Sequence, residues 1–476
     1  MAKAGWKVTV LEKHNMPGGR ARQMKAAGFT FDMGPSWYWM PDVFERYFHQ
    51  FGKSVSDYYQ LERLDPSYRV YWQDGPMDIP ADFSGLKQLF NSIEPGSGAR
   101  LEHFLAEAAF KYKVGIEKLV FKPGLSLAEF IDWDLVKGVF RLDVFSSIRS
   151  HVAKYFTNPK LVQLMEFPVL FLGALPENTP ALYSLMNYAD IKGGTWYPNT
   201  GMYSIVNGMY ELAIELGVNF HFEQEVKRIV IDKGIAKKVV TGSMTNGEIT
   251  YEADVVIGGA DYHHIETALL PEAYRSYSKS YWDKRVMAPG CLLYYVGLNK
   301  KLTGILHHSL FFDTSFEIHG NEIYTGKKWP ADPLFYVSAT SVTDHSVAPE
   351  GYENLFLLIP VAAGLENDTE ELRNRYFEMI INRMERHLGQ SIKEFIVYKK
   401  SFAQSDFVNE YNAFKGNAYG LANTLLQTAV LKPSCRSKKV KNLFYTGQLT
   451  VPGPGVPPSL ISGEVVAAQV VKEYGA

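Results

Sequence analysis

Cysteine is scarce in this chain: of 476 residues only Cys291 and Cys435 carry a thiol. Their spacing fits no metal motif, and two lone thiols suggest a reducing, cytoplasmic setting without structural disulfides. An excess of either charge is also missing. The 49 basic and 51 acidic side chains leave a formal net charge of −2, which gives a polyanion no purchase and argues against nucleic acid as a partner. No run of 18 or more apolar residues occurs, and the N-terminus lacks a signal-peptide h-region, so neither a membrane span nor visible export is expected. Internal repeats, low-complexity tracts and long disordered linkers are absent too. Aromatic residues are abundant: 29 Phe, 29 Tyr and 8 Trp make up 14% of the chain. A large core uses such residues, and so does an apolar ligand tunnel.

One further absence is more specific. Lys7-Val8-Thr9-Val10-Leu11-Glu12 reads as a short buried strand ending in an acid, like the second strand of a βαβ dinucleotide-binding unit. In such units the acid, which takes the ribose hydroxyls, follows a Gly-x-Gly-x-x-Gly loop by roughly 20 residues. Only eleven residues precede Glu12, and that loop occurs nowhere else in the chain. Met1 to Gly5 has the character of the last turn of the helix such a loop opens, with Gly5 as its stop. The expectation is a sequence begun at an internal methionine, its first strand and glycine loop lost. Lys13 and then Pro17-Gly18-Gly19-Arg20-Ala21 follow the acid. Paired glycines let backbone approach a pyrophosphate, and the arginine adds charge. Eight residues after such a strand, this pattern points to a flavin site.

The chain is long enough for two or three interleaved domains. Residues 1–85 continue the nucleotide-binding unit, with Gly34-Pro35-Ser36 as a turn after the strand Gly28 to Met33. Residues 86–185 have helical periodicity and hold the most apolar stretch, Leu127 to Val169, interleaved with Lys137, Arg141, Arg149 and Lys154. Residues 186–284 return to α/β character: a helix over Met209 to Leu216, a strand containing Val226, a hairpin over Thr241 to Tyr251, and a strand ending in Gly258-Gly259. Residues 285–410 read as an antiparallel sheet with a helix over Glu370 to His387. Residues 411–476 close the nucleotide-binding unit with a strand ending at Gly447-Gln448, a turn Pro452 to Pro458, and a Val/Ala-rich helix. The partial positive charge and free N–H groups of that helix N-terminus suit the electron-rich end of a flavin.

Glu12-Lys13 with Gly18-Gly19-Arg20-Ala21 resembles the flavin site of the amine-oxidase-like flavoproteins. Gly28 to Tyr38, Trp196-Tyr197-Pro198 with Gly201-Met202, Ala260 to His264 and Asn442 to Pro457 are similar to the bacterial phytoene desaturases within that group, nearly end to end. The chain departs from the family pattern at the glycine loop, at Val451 where a histidine is usual, and at Thr200 where a glycine is usual. The resemblance implies an FAD-binding Rossmann-like α/β domain, an antiparallel-sheet substrate domain and a helical, membrane-facing subdomain. It also implies FAD held by Glu12, Lys13, Gly18, Gly19, Arg20, Ala21, Gly34, Pro35, Ser36, Val226, Gly447, Gln448, Pro452, Gly455, Val456 and Pro457. The reaction implied is removal of two hydrogens from a C–C bond of a long isoprenoid, hydride passing to flavin.

The emerging charge spreads into a polyene, so the protein chiefly orients the substrate and excludes water. No acid–base pair stands out, and catalytic residues stay unassigned. Trp196, Tyr197, Phe167 and Phe171 are candidates to line a substrate tunnel, against the plainer reading that they are core. A carotenoid of about 40 carbons costs roughly 25–30 kcal/mol to pass through water, so docking on a membrane surface is expected, with Leu127 to Val169 as either the docking surface or helical core. The pairs His263-His264 and His307-His308 point their rings apart and are poor chelates, so no metal is expected. Alternatives are a carotenoid isomerase or saturase of the same family, or a prenyl-lipid-binding protein without redox chemistry.

Overall fold

A computed structural model describes the chain except residues 127–128, 130–141, 171–172, 244–246 and 476. In chain order the strands are β1 (Thr9–Leu11), β2 (Gln23–Ala26), β3 (Phe29–Asp32), β4 (Leu61–Arg63), β5 (Tyr68–Trp72) and β6 (Gly75–Ile79). Then come β7 (Trp196–Pro198), β8 (Asn219–His221), β9 (Glu225–Asp232), β10 (Ile235–Ser243), β11 (Gly247–Glu252) and β12 (Val256–Gly258). After these follow β13 (Gly290–Leu298), β14 (His308–Phe311), β15 (Phe335–Ser338), β16 (Glu353–Val361), β17 (Ile396–Phe402) and β18 (Leu443–Tyr445).

Seven strands form one sheet in the order β17-β13-β16-β15-β14-β5-β6, antiparallel throughout except for the β14–β5 pair. The stretch 290–402 thus takes two strands, β5 and β6, from the first 85 residues. Alternation divides the side chains between two layers. Cys291, Leu293 and Tyr295 of β13 enter one core with Phe29, Phe31 and Phe167. Leu292, Tyr294, Val296 and Leu298 enter the other, against helix Glu370–Leu388. Cover on both faces explains why β13 is apolar without interruption.

The helical stretch supplies the first of these cores. Leu142, Ile148, Val152, Leu161, Phe167 and Val169 are all buried. In the described part of Leu127 to Val169, Ile148, Val152, Leu161, Phe167 and Val169 therefore belong to the core on that face of the sheet. Phe145 is the exception, 81% exposed. Among the described residues no helix is long and apolar enough to cross a membrane.

The remaining strands are shorter. β9, β10 and β11 form an antiparallel meander, and β2–β3 and β4–β7 are antiparallel pairs. Two parallel pairs stand apart, β1 with β8 and β12 with β18. Beyond β18, Arg436 bridges Phe444, so among the described residues β12 keeps one unpaired edge, as does β1. Met1 and Trp6, just ahead of β1, pack with Val255, Phe444, Val466 and Val470, which brings the two pairs into one neighbourhood.

Candidate functional site

The seven-stranded sheet holds the loop after β3 in place. Tyr295 donates its hydroxyl to the Met33 carbonyl at 2.8 Å, and Asn354 Nδ2 donates to the Thr30 carbonyl at 2.9 Å. Gly34 lies so close to the Arg20 backbone that a Cβ would stand 2.5 Å from the Arg20 carbonyl oxygen. Ser36 lines a small hollow with Asp32, Met202 and Ser338 of β15. Asp32, at the end of β3, accepts the N–H groups of Met202 (2.7 Å) and Tyr203 (3.0 Å), the first turn of helix Tyr203–Glu215. Burial nevertheless pushes its carboxyl up to about 7.

The diglycine turn sits on that same helix. Gly18 has φ +111° and packs against Val206, while Gly19, at φ +52°, faces open space. Arg20 then crosses to the far end of the chain. Its guanidinium donates to the carbonyls of Asn417 (2.7 Å) and Ala418 (2.8 Å), and stands 4.0 Å from the buried Asp261 carboxylate. The Phe407 and Tyr411 rings flank it at 5.9 and 5.6 Å. With its amide oriented to satisfy both groups, Gln448 presents its oxygen to the same guanidinium at 2.7 and 3.0 Å. Residues 20 and 448 are therefore one hydrogen bond apart. Helix Val456–Tyr474 is tied in as well, because Glu464 accepts from Arg46 (2.8 and 2.9 Å) and from Gln50 (3.0 Å).

On the C-terminal side Gly447 (φ +98°) faces open space, and its N–H donates to Ser462 at 3.1 Å. Gly453 and Gly455 have φ of +141° and +113° across the turn. Helix Val456–Tyr474 opens with Val456-Pro457-Pro458. The two prolines remove N–H donors from its first turn, so the expected set of free N–H groups is reduced. At the other end of the site, the Glu12 backbone joins β8 through His221 and accepts from the Gln224 N–H, which brings the strand of Val226 alongside. Glu12 Oε1 accepts the His14 N–H at 2.8 Å. Lys13 turns outward to the Asn409 carbonyl, 2.7 Å away, and Ala21 closes the diglycine turn onto the Gly18 carbonyl.

Residues 1–471 match the family described as flavin containing amine oxidoreductase. The chain belongs to this family. It is 41% identical to the carotenoid 3,4-desaturase of Haloarcula japonica, over 99% of this chain and 95% of that one. It is 31% identical to the zeta-carotene-forming phytoene desaturase of Myxococcus xanthus, over 99% of this chain and 90% of that one. An oxidoreductase structure from Methanosarcina mazei shares the fold at TM-score 0.62 and 15% identity, covering 98% and 95% of the two chains. As in the rest of this flavoprotein family, the cofactor is FAD. Two features suit it: Gly19 and Gly447 present bare backbone to open space at the two ends that Arg20 joins, and Glu12 stands at the end of β1.

The candidate tunnel residues separate. Phe167 joins an aromatic cluster on the sheet, 6.4 Å from Trp37 and 5.6 Å from Tyr68 between ring centroids. Tyr197 is buried, with its hydroxyl on Asp344 at 3.1 Å and its ring edge-on to His307. Trp196 is half-buried and donates to the Gly193 carbonyl at 2.9 Å. Phe171 lies outside the described residues. Three features of this flavoprotein escaped the sequence. Trp37 stacks on His308 at 4.1 Å, and His308 Nδ1 meets the Tyr336 hydroxyl at 2.7 Å. Asp32 caps a helix 170 residues away. Lys432 is buried behind the Gly453 turn with Asn423 Oδ1 at 2.9 Å. Adjacent histidines and a loop Lys-Pro carry no signal of burial.

Proposed function

We propose that the chain desaturates a long-chain carotenoid precursor, phytoene or a related intermediate, by hydride transfer to FAD. One observation carries the assignment: Arg20 and Gln448 close the two ends of the chain into one site, beside a sheet face paved with aromatic side chains. Similarity to carotenoid and phytoene desaturases along nearly the whole chain supports this substrate class. When bound, FAD supplies the hydride acceptor. The chain's part is to fix the ring between the diglycine side and the Gly447–Gly455 turn, and to keep water away through the Trp37, Tyr68 and Phe167 cluster.

A hydrocarbon substrate supports docking at the cytoplasmic face of a membrane, and the exposed Phe145 supports it further. The test is to supply the purified protein with FAD, record its visible spectrum, and chromatograph pigments after incubation with phytoene in liposomes. A flavin spectrum and coloured polyenes are expected. A protein that folds but takes up no FAD would sink the assignment.

A further inference from the structure

A groove of about 640 Å³ is lined in part by Lys432, whose amine also lies against the Gly453 turn. Four cations line it, Arg285, Lys432, Arg436 and Lys438, and among the described residues no carboxylate does. In a chain of net charge −2 this is a local concentration of positive charge. Glu473 reaches Arg436 at 2.7 Å, whereas Arg285 and Lys438 meet no carboxylate among the described residues. These two lie instead on tyrosine faces, Arg285 4.3 Å from the Tyr281 centroid and Lys438 4.4 Å from that of Tyr277. Arg285 Nε donates to the Tyr281 carbonyl at 3.3 Å, and stacking leaves its terminal N–H groups and those of Lys438 to turn toward an anion. The Ser434 and Ser437 side chains add polar lining.

The rim has the opposite character. Leu426 is 76% exposed, Leu431 49% and Leu125 43%, and all three border the groove. A site for a free soluble anion has no use for leucines held in water. A cationic hollow ringed by exposed leucines, with tyrosines at its wall, matches the boundary between lipid headgroups and acyl chains.

We propose that this groove holds the phosphate of an anionic phospholipid headgroup and seats the chain on a membrane surface. The proposal deepens the membrane docking argued above and rests on it. Arg285 and Lys438 make the outer contacts, Lys432 lies at the floor, and Leu426 and Leu431 enter the acyl layer. Because Lys432 also touches the Gly453 turn, the lipid surface and the flavin side of the site are separated by one side chain.

Flotation of the full chain with vesicles tests this. Vesicles of phosphatidylglycerol mixed with phosphatidylcholine should carry the wild type. R285Q/K438Q should bind them about tenfold or more weakly, since each cation near an anionic surface contributes on the order of 1 kcal/mol. R285K/K438R should float like the wild type, which separates charge from folding. Inorganic phosphate at matched ionic strength should leave flotation unchanged. Wild-type flotation by R285Q/K438Q, or release by inorganic phosphate, overturns the headgroup site. Equal flotation on pure phosphatidylcholine overturns it too but leaves apolar docking standing, whereas no flotation on either vesicle removes the docking reading itself.

Discussion

The seven-stranded sheet and the two short parallel pairs of this molecule are held together differently. In the larger one, β13 and β16 run nine residues each, bond neighbours on both sides and are covered by a core on either face. In the nucleotide-binding half, β1 and β12 are three residues long, bond on one side and are half-exposed. The first is stabilised by its own side chains; the second depends on contacts with the far end of the chain, Arg20 above all. Substitutions in the first should therefore act on folding, and those in the second on closure around the cofactor.

The sharpest test sets one glycine from each sheet against the other. A Cβ at Gly297 of β13 would stand 2.3 Å from Phe29 Cε2, and that ring is boxed in by Phe31 and Tyr352. Gly297→Val should cost about 3 kcal/mol or more in chemical denaturation, and Phe29→Leu should recover part of it. At Gly258 of β12 the nearest atom, 2.5 Å away, is the Ile265 methyl Cδ1, the end of a flexible side chain. Gly258→Ala should cost about 1 kcal/mol or less. Equal costs would break the contrast.

Next in size is the clasp. Arg20→Met leaves Asp261 buried with its carboxylate facing backbone N–H groups, those of Phe414, His264 and His263, and no cation. A loss of about 2–3 kcal/mol is expected, with partial recovery in R20M/D261N, since a buried charge stripped of its partner costs more than removal of both. FAD retention after gel filtration should fall with it. A variant that stays stable but sheds FAD would show that Arg20 serves the cofactor more than the fold.

These contrasts also show what a sequence discloses. The uninterrupted apolar run of β13, the diglycine turn after Glu12 and the closing helix are local patterns, and each appears where its pattern places it. The Met1–Gly5 turn is likewise legible: Ala2–Ala4 is a short helix and Gly5, at φ +83°, stops it. Burial from a distance is not legible. Nothing in a loop Lys-Pro announces that Lys432 lies under Gly453, and Tyr197 cannot disclose that Asp344 takes its hydroxyl. The helical stretch was ambiguous for the same reason: Ile148 and Phe145 are equally apolar, and only the sheet decides which one is covered.

Thr200 offers a smaller test at the join between the halves. It holds φ +71°, a conformation where a β-branched residue is strained and glycine is at ease. Its N–H donates to Asp344 at 2.8 Å and its hydroxyl meets Ser204 at 2.9 Å. Thr200→Gly keeps the first contact and loses the second, so a net gain of about 1 kcal/mol is expected in denaturation. A loss would mean that the hydroxyl outweighs the strain.

The smallest effect lies in the pH dependence of stability, and its sign is opposite for two groups. Burial pushes Asp32 up to about 7 and Lys432 down to about 7. A raised carboxyl gives stability that is full below its unfolded value near 4 and lost as pH rises through 7. A depressed lysine gives stability that is full above its unfolded value near 10.5 and lost as pH falls through 7. Thermal unfolding at pH 5 to 7 thus reports Asp32, and at pH 7 to 9 it reports Lys432. Lys432→Met should flatten the upper window by about 1 kcal/mol, after allowance for water entering the open groove, and leave the lower window unchanged. Anionic vesicles should flatten the same window in the wild type, because a bound phosphate favours the charged amine that burial opposes. If vesicles leave the slope as it was while Lys432→Met removes it, the lysine belongs to the turn behind it and not to the groove before it.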